Sequence, residues 1–256
     1  MSAWRVFLTG ASSGIGEALA RRYAAAGATL GLAARRPDRL AALAAELPGA
    51  HACYPLDVVD AEALQAAAAD FIARWGCPDV VIANAGISVG TLAEEAGDLP
   101  AFHRVFDTNV LGMVQTFQPF IAAMKARGSG RLVGIASVAG IRGLPGAGAY
   151  SASKAAGIAC LEALRVELRG SGVKVLTIAP GYVATPMTAA NPYPMPFLLS
   201  ADEAARRFAR AIERGTSYSV IPWQMAVVAK LLRLLPNPIF DALFARAARK
   251  PRGLKM

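Results

Sequence analysis

Short apolar runs recur along this chain, each followed by a stretch with the length and composition of an α-helix. The strand candidates are WRVFL (4–8), ATLGLAAR (28–35), HACYPLD (51–57), DVVIANAG (79–86), RLVGIAS (131–137), KVLTIAP (174–180) and SYSVIP (217–222). Between them, residues 17–27, 39–47, 61–76, a long segment near 100–127 and 151–169 read as helices. Gly27 caps the first and Pro48-Gly49 closes the second. Continuously apolar strands joined by helices build a parallel sheet covered on both faces. The expectation is an α/β fold, one doubly wound parallel sheet with helices on both faces. It spans residues 1–223, and residues 224–256 add a helical extension to the same domain. Hydrophobic residues make up 55% of the 256 positions, enough for a sizeable core, and much of that share is alanine. No linker, repeat or low-complexity segment interrupts the pattern before residue 187.

The first strand runs directly into TGASSGIG (9–16). In a doubly wound sheet this turn lies at the carboxyl edge, where ligands bind. A helix starting there aims free N–H groups and its positive dipole end at the turn, which favours a phosphate or pyrophosphate. Gly10 permits the tight turn, while Gly14 and Gly16 let the backbone approach a ligand without a Cβ between. The spacing is GxxxGxG rather than GxGxxG, and glycine-rich turns also serve purely structural connections.

Further along, Tyr150 and Lys154 form a YxxxK pair, and no other tyrosine has a lysine four residues on. At that spacing the two side chains share a helix face. An ammonium beside a phenol stabilises phenolate and is expected to lower the tyrosine pKa from its usual ~10. Ser137 ends the preceding strand at the same carboxyl edge. Asn109, in FDTNVLG, is a polar residue within an amphipathic helix; a core asparagine at a kink is the alternative reading.

TGASSGIG, ANAG (83–86), Asn109, Ser137, YSASK (150–154) and PGYVATPM (180–187) together resemble the single-domain branch of the short-chain dehydrogenase/reductase family, over residues 4 to about 187. The resemblance implies a Rossmann-type fold and hydride transfer between a nicotinamide cofactor and a carbonyl or secondary alcohol. It implies that Tyr150 is the general acid or base, and that Lys154 lowers its pKa and binds the nicotinamide ribose. It further implies that Ser137 bonds the substrate oxygen and that Asn109 holds a water of a proton relay. Cofactor contacts would come from Gly10, Ser12, Ser13, Gly14, Ile15 and Gly16 on the first turn. Asp57 and Val58, then Asn84, Ala85 and Gly86, would line the adenine side and the cleft floor. Pro180, Gly181, Val183 and Thr185 would meet the nicotinamide. The family's usual NNAG is ANAG here, Ala83 replacing the first asparagine, and Asn84 is expected to keep its turn. A non-catalytic NADP-binding sensor on the same fold is the rival reading.

The end of the second strand bears on NAD against NADP. An acidic residue there bonds the adenosine 2′-hydroxyl and repels a 2′-phosphate. Here Ala33-Ala34 precede Arg35-Arg36, so NADP(H) is expected, with Arg35 supplying most of the preference. The alternative is that both arginines merely solvate a loop. A second supporting base is absent, because Ser13 stands before Gly14.

Cys53, Cys77 and Cys160 form no CxxC pair and fit packing roles in a reducing compartment. His51 and His103 show no ligand spacing, so no metal is implied. The first apolar run is too short for a signal peptide, and no stretch approaches the ~18 apolar residues of a membrane span. A cytoplasmic protein is expected. Net charge is +9, and residues 202–256 hold eleven lysines and arginines against four acids. No nucleic-acid motif accompanies that charge, so a small-molecule substrate and no nucleic acid are expected. The resemblance makes residues 187–200 a substrate lid, whose Tyr193, Met195, Phe197, Leu198 and Leu199 would line an apolar substrate pocket or pack on their own protein. QMAVVAKLLRLL (224–235) and IFDALFARAARK (239–250) read as basic amphipathic helices. They serve packing, a homo-oligomer interface or peripheral membrane contact.

Overall fold

The computed structural model describes residues 4–253. Seven strands form one parallel sheet: β1 (Arg5–Thr9), β2 (Thr29–Ala34), β3 (His51–Pro55), β4 (Val80–Ala83), β5 (Gly130–Ile135), β6 (Val173–Pro180) and β7 (Tyr218–Ile221). Their order is β3-β2-β1-β4-β5-β6-β7. The chain winds outward from β1 in one direction to β3, then crosses back to β4 beside β1. That reversal opens a crevice at the carboxyl ends of β1 and β4, where a doubly wound sheet takes its ligand.

Alternate residues of a strand face opposite sides of the sheet, and here both sides are buried. Val6 and Leu8 of β1 join one core with Leu19, Phe208 and Ile212. Phe7 joins the other, edge-on to Phe71 with ring centroids 5.7 Å apart. Gly31 of β2 lies under that pair, and a Cβ there would stand 2.6 Å from the Phe7 ring. Helices α1 (Gly14–Ala25) and α2 (Pro37–Glu46) follow the first two strands, and α3 (Ala61–Trp75) follows β3. The long helix expected near 100–127 is α4 (Leu99–Phe106), a π-helical turn (Asp107–Leu111) and α5 (Gly112–Arg127) end to end. Helix α6 (Gly148–Glu167) begins three residues before the expected start.

Helix α7 (Ala201–Arg214) had no counterpart in the sequence reading. Its Arg-rich sequence hides a stripe of Ala204, Ala205, Phe208, Ala209 and Ile212, all buried against the sheet. Ser200 caps it by accepting a hydrogen bond from Glu203 N at 3.2 Å, so the S-x-x-E signal was present. After β7 come α8 (Trp223–Leu234) and α9 (Asn237–Phe244). The helix expected over 239–250 stops at Phe244, because the following residues are drawn away across the body. Gly90 N donates to Pro251 O at 2.9 Å, and Arg252 Nε lies 2.9 Å from Asp98 Oδ2. Among the described residues no helix is long and apolar enough to cross a membrane, and no group of three metal-ligating side chains occurs.

Candidate active site

The chain leaves β1 through Gly10, at φ +68°, and enters α1 at Gly14, at φ +58°. Both values lie in the left-handed region that side chains disfavour. Asn84, just past β4, donates through Nδ2 to Thr9 O at 3.1 Å and Gly10 O at 3.2 Å. Its own N–H donates to Thr9 Oγ1 at 3.2 Å. The ends of β1 and β4 are thereby stitched together, and the turn at ANAG survives with alanine at position 83. Gly16 departs from expectation. A Cβ there would press on the Gly10 carbonyl and stand 2.6 Å from Asn84 Nδ2, so this glycine serves packing inside the loop. Gly14 does border the cleft, opposite Thr185, whose Cβ would lie 3.1 Å from an added methyl. Ser13 precedes α1 without capping it through its side chain, leaving the first helical N–H groups aimed at the cleft.

A cleft of about 370 Å³ runs along this edge. Every nominated residue borders it except Gly16 and Asn109. At one end Arg36 donates through Nη2 to Ser12 Oγ at 3.2 Å and Ser13 Oγ at 2.9 Å. A guanidinium therefore stands over the loop at the place where Ser13 itself brings no base. Burial and the neighbouring Arg39 and Arg35 hold the Arg36 pKa below its ordinary value. Arg35 turns toward Asp57, with Nη1 3.8 Å from Oδ2, and Arg104 Nη2 donates to the same oxygen at 3.0 Å. Asp57 is the one carboxylate bordering the cleft among the described residues, and both its cationic neighbours restrain it. Thr108 also borders the cleft, and its buried hydroxyl has no partner among the described residues. Nothing in the sequence singled it out, since a threonine in a helix is ordinary.

At the other end α6 presents Tyr150 and Lys154, and Ser137 follows β5. Lys154 is buried and donates to Ile135 O at 2.8 Å, with Nζ 5.8 Å from the Tyr150 ring centroid. Burial pulls its pKa from the usual 10.5 down to about 8. Burial acts oppositely on the phenol, raising the Tyr150 pKa, while the Ser137 hydroxyl draws it partly back. The expected lowering of this tyrosine by its lysine is not what the geometry delivers. The ammonium keeps its charge but stands 5.8 Å from the ring centroid, and desolvation of the buried phenol outweighs it. Ser137 Oγ accepts from Ala139 N at 3.1 Å and keeps its own proton for another acceptor.

Asn109 sits in the π-helical turn, and its carboxamide is committed. Oδ1 accepts from Ile87 N at 2.8 Å; Nδ2 donates to Ile87 O and to Ser153 Oγ, both at 3.0 Å. Ser153 in turn donates to Tyr150 O at 2.8 Å. Asn109 thus ties the loop after β4 to the first turn of α6, and its side chain has no N–H left for a water. It remains beside Lys154: a Cβ on Gly86 would lie 3.1 Å from Asn109 Oδ1 and 3.6 Å from Lys154 Nζ.

The lid loops out and returns, with Ala184 N donating to Leu199 O at 2.8 Å and Leu199 N to Tyr182 O at 3.0 Å. None of Tyr193, Met195, Phe197, Leu198 and Leu199 borders the cleft. Leu199 packs on the core, while Phe197 and Leu198 are exposed. Apolar lining comes instead from Ile87, Pro186 and Met187. Pro186 and Met187 belong to the PGYVATPM stretch, and Met187 opens the expected lid, whereas Ile87, just past ANAG, followed from neither periodicity nor motif.

This is the Rossmann-type α/β class, with its ligand crevice at the strand reversal. The profile of the short chain dehydrogenase family matches residues 5–194, and the chain belongs to that family of oxidoreductases. It is 41% identical to an uncharacterized oxidoreductase of Myxococcus xanthus, covering 98% of this chain and 99% of that one. It is 38% identical to the 2-dehydro-3-deoxy-L-rhamnonate dehydrogenase (NAD(+)) of a Sphingomonas species, over 70% of this chain and 72% of that one. Among solved structures it resembles an alcohol dehydrogenase of the archaeon Thermococcus sibiricus complexed with 5-hydroxy-NADP. The TM-score is 0.74 at 30% identity, covering 85% of this chain and 95% of that one.

Proposed function

We propose that this oxidoreductase transfers hydride between NADP(H) and a carbonyl or secondary alcohol of an apolar substrate. The observation that carries the reading is one cleft with Tyr150, Ser137 and Lys154 at one end and two arginines at the other. The residues fit a phosphorylated dinucleotide: Gly14 leaves the space a Cβ would fill, α1 offers uncapped N–H groups, and Arg36 brings positive charge beside them. The bound cofactor supplies or accepts the hydride.

The chain's own residues do the rest. Tyr150, held protonated by burial, donates its phenolic proton to the carbonyl oxygen in reduction and receives it back in oxidation. Ser137 donates to the same oxygen and stabilises the charge that develops on it. Lys154, anchored on Ile135 O, places a cation where phenolate forms, and its depressed pKa makes it a competent proton partner near neutrality. Asn109 acts through geometry, holding α6 against the loop after β4. The preference for the 2′-phosphate is shared between Arg35 and Arg36, the latter closer to the helix N-terminus. The test is kcat/KM with NADPH and NADH over a panel of apolar ketones and aldehydes. A clear NADPH preference that Arg36→Ala diminishes is expected. Equal efficiency with both cofactors would sink the NADP assignment, and no turnover on any carbonyl would favour the sensor reading.

A further inference from the structure

We propose that the α8–α9 hairpin docks the protein on an anionic lipid bilayer. Around α8, Met225 and Ala229 face the body and are buried, with Met225 packed over Gly181 at the end of β6. At 3.6 residues per turn the opposite side collects Trp223, Val227, Lys230, Leu231 and Leu234. Trp223 is 69% exposed, Leu231 60% and Leu234 71%. On α9, Phe240 faces inward, while Ile239 and Leu243 project outward, Leu243 at 63% exposure.

The hairpin is held in this orientation. Arg142, in the loop after β5, donates to the carbonyls of Leu232 and Leu235, the latter at 2.6 Å, and to Asn237 Oδ1 at 3.0 Å. Its guanidinium also lies 3.9 Å from the Phe240 ring centroid. Three helix-end groups and an aromatic ring are thus gripped from inside. The exposed leucines cannot turn inward without breaking that grip. Monomeric proteins seldom leave a contiguous apolar face of this kind uncovered.

Charge selects the occupant. Residues 223–253 carry six lysines and arginines and a single acid, Asp241. Lys230 shares the apolar face, and Arg233 flanks it. A second copy pairing through a two-fold axis would present this same basic patch to itself, with one aspartate per copy to offset it. Anionic headgroups match the cations, and Trp223 with the leucines suits the acyl boundary beneath them. The hairpin also leaves the sheet at the carboxyl ends of β6 and β7, the edge that carries the cleft. A substrate drawn from lipid would arrive at the correct side of the molecule.

Vesicle flotation tests this, using phosphatidylcholine alone and phosphatidylcholine with about one third phosphatidylglycerol. The full chain should bind the anionic vesicles at least about tenfold better at low salt, as two cations near a charged surface would provide. Molar salt should erase the difference. Leu231→Ser with Leu234→Ser should reduce binding about tenfold while leaving Tm and NADPH turnover unchanged, since both leucines lie outside the core and the cleft. Lys230→Gln with Arg233→Gln should equalise the two vesicle types. Three results would overturn the proposal: no binding to anionic vesicles, binding indifferent to the leucine pair, or a soluble oligomer that this pair dissolves without any vesicle binding. Vesicle binding is read without turnover, so its outcome is separate from that of the assigned reaction.

Discussion

Burying an ammonium and a phenol side by side sets opposing demands on each, and the cleft resolves them by different means. Tyr150 is kept neutral, as an acid for carbonyl reduction must be, and Ser137 tempers the shift. Removing only its hydroxyl in Tyr150→Phe should cut kcat by about 10²- to 10⁴-fold, the usual worth of a positioned proton donor. NADPH affinity, read by fluorescence titration, should barely move; a variant with near-normal kcat would show that another group supplies the proton. Lys154 makes a second prediction, this time of stability. Its native pKa of about 8 lies below the unfolded value of 10.5, so between them the unfolded chain binds more protons. Stability therefore rises with pH through that window, as the cost of a buried ammonium is relieved. From about pH 7 to about pH 9.5 the wild type should gain roughly 2 kcal/mol relative to Lys154→Met, measured by urea unfolding. A constant difference across those pH values would mean the lysine is solvated in the native protein.

The elements divide sharply by how local their causes are. A strand buried on both faces is apolar at nearly every position, which is why the strands stood out in the sequence within a residue or two, except that β4 stops at Ala83, three residues short of Gly86. Helix α7 did not, because its buried stripe is mostly alanine and its arginines dominate the composition. The glycine loop was legible as a turn, whereas the packing role of Gly16 depends on Asn84, far away in sequence. Arg35 and Arg36 are neighbours on one turn, and which of them reaches Ser12 and Ser13 is decided by the direction the backbone takes into α2. The tail beyond α9 was read as helix because its alanines and arginines favour one. Tertiary pairing wins there: Arg252 meets buried Asp98 at 2.9 Å, Lys250 Nζ donates to Ser88 Oγ at 3.0 Å and Met187 O at 3.2 Å. These contacts tie the segment between β4 and α4 and the start of the lid to residues 250–252. The hydrogen bonds from Arg252, with Leu92 N behind them, hold the Asp98 pKa below the usual carboxylate range. A depressed carboxylate stabilises the fold above its unfolded pKa and loses that contribution as pH falls through the native one. Arg252→Ala should therefore lower Tm at neutral pH, and the gap from wild type should close in strongly acidic buffer. It should also raise the substrate KM more than it changes kcat, by loosening loops at the cleft. An unchanged Tm at neutral pH would show that the tail merely lies on the surface.

For the molecule as a whole, the cleft joins the two halves of the sheet rather than belonging to either. β1, with the glycine loop and α1, forms one wall; β4, β5 and β6, with the turns after them, form the other. Asn84 joins the walls at the cleft, beyond the β1–β4 ladder, and a dinucleotide lying across them would add a further link. Ligand that binds only the native state raises stability by RT ln(1 + [L]/Kd), about 2.7 kcal/mol at a hundredfold excess over Kd. In a chain of this size that corresponds to a Tm increase of roughly 5–10 °C, from about 2–4 °C per kcal/mol. NADPH should produce such an increase at concentrations where NADH produces much less, because the cleft has two arginines and its carboxylate Asp57 is already engaged by Arg35 and Arg104. The net charge of +9 works in the same direction at longer range, so the NADPH increment should shrink as salt rises toward the molar range. Arg36→Ala should bring the NADPH increment down to that of NADH without altering the Tm of the protein alone, since its contacts are to exposed loop hydroxyls. Differential scanning fluorimetry with both cofactors, on wild type and variant, reads all of this without any knowledge of the substrate. Equal increments from NADH and NADPH in the wild type would remove the arginines from cofactor selection. An increment from neither would remove the dinucleotide from the cleft.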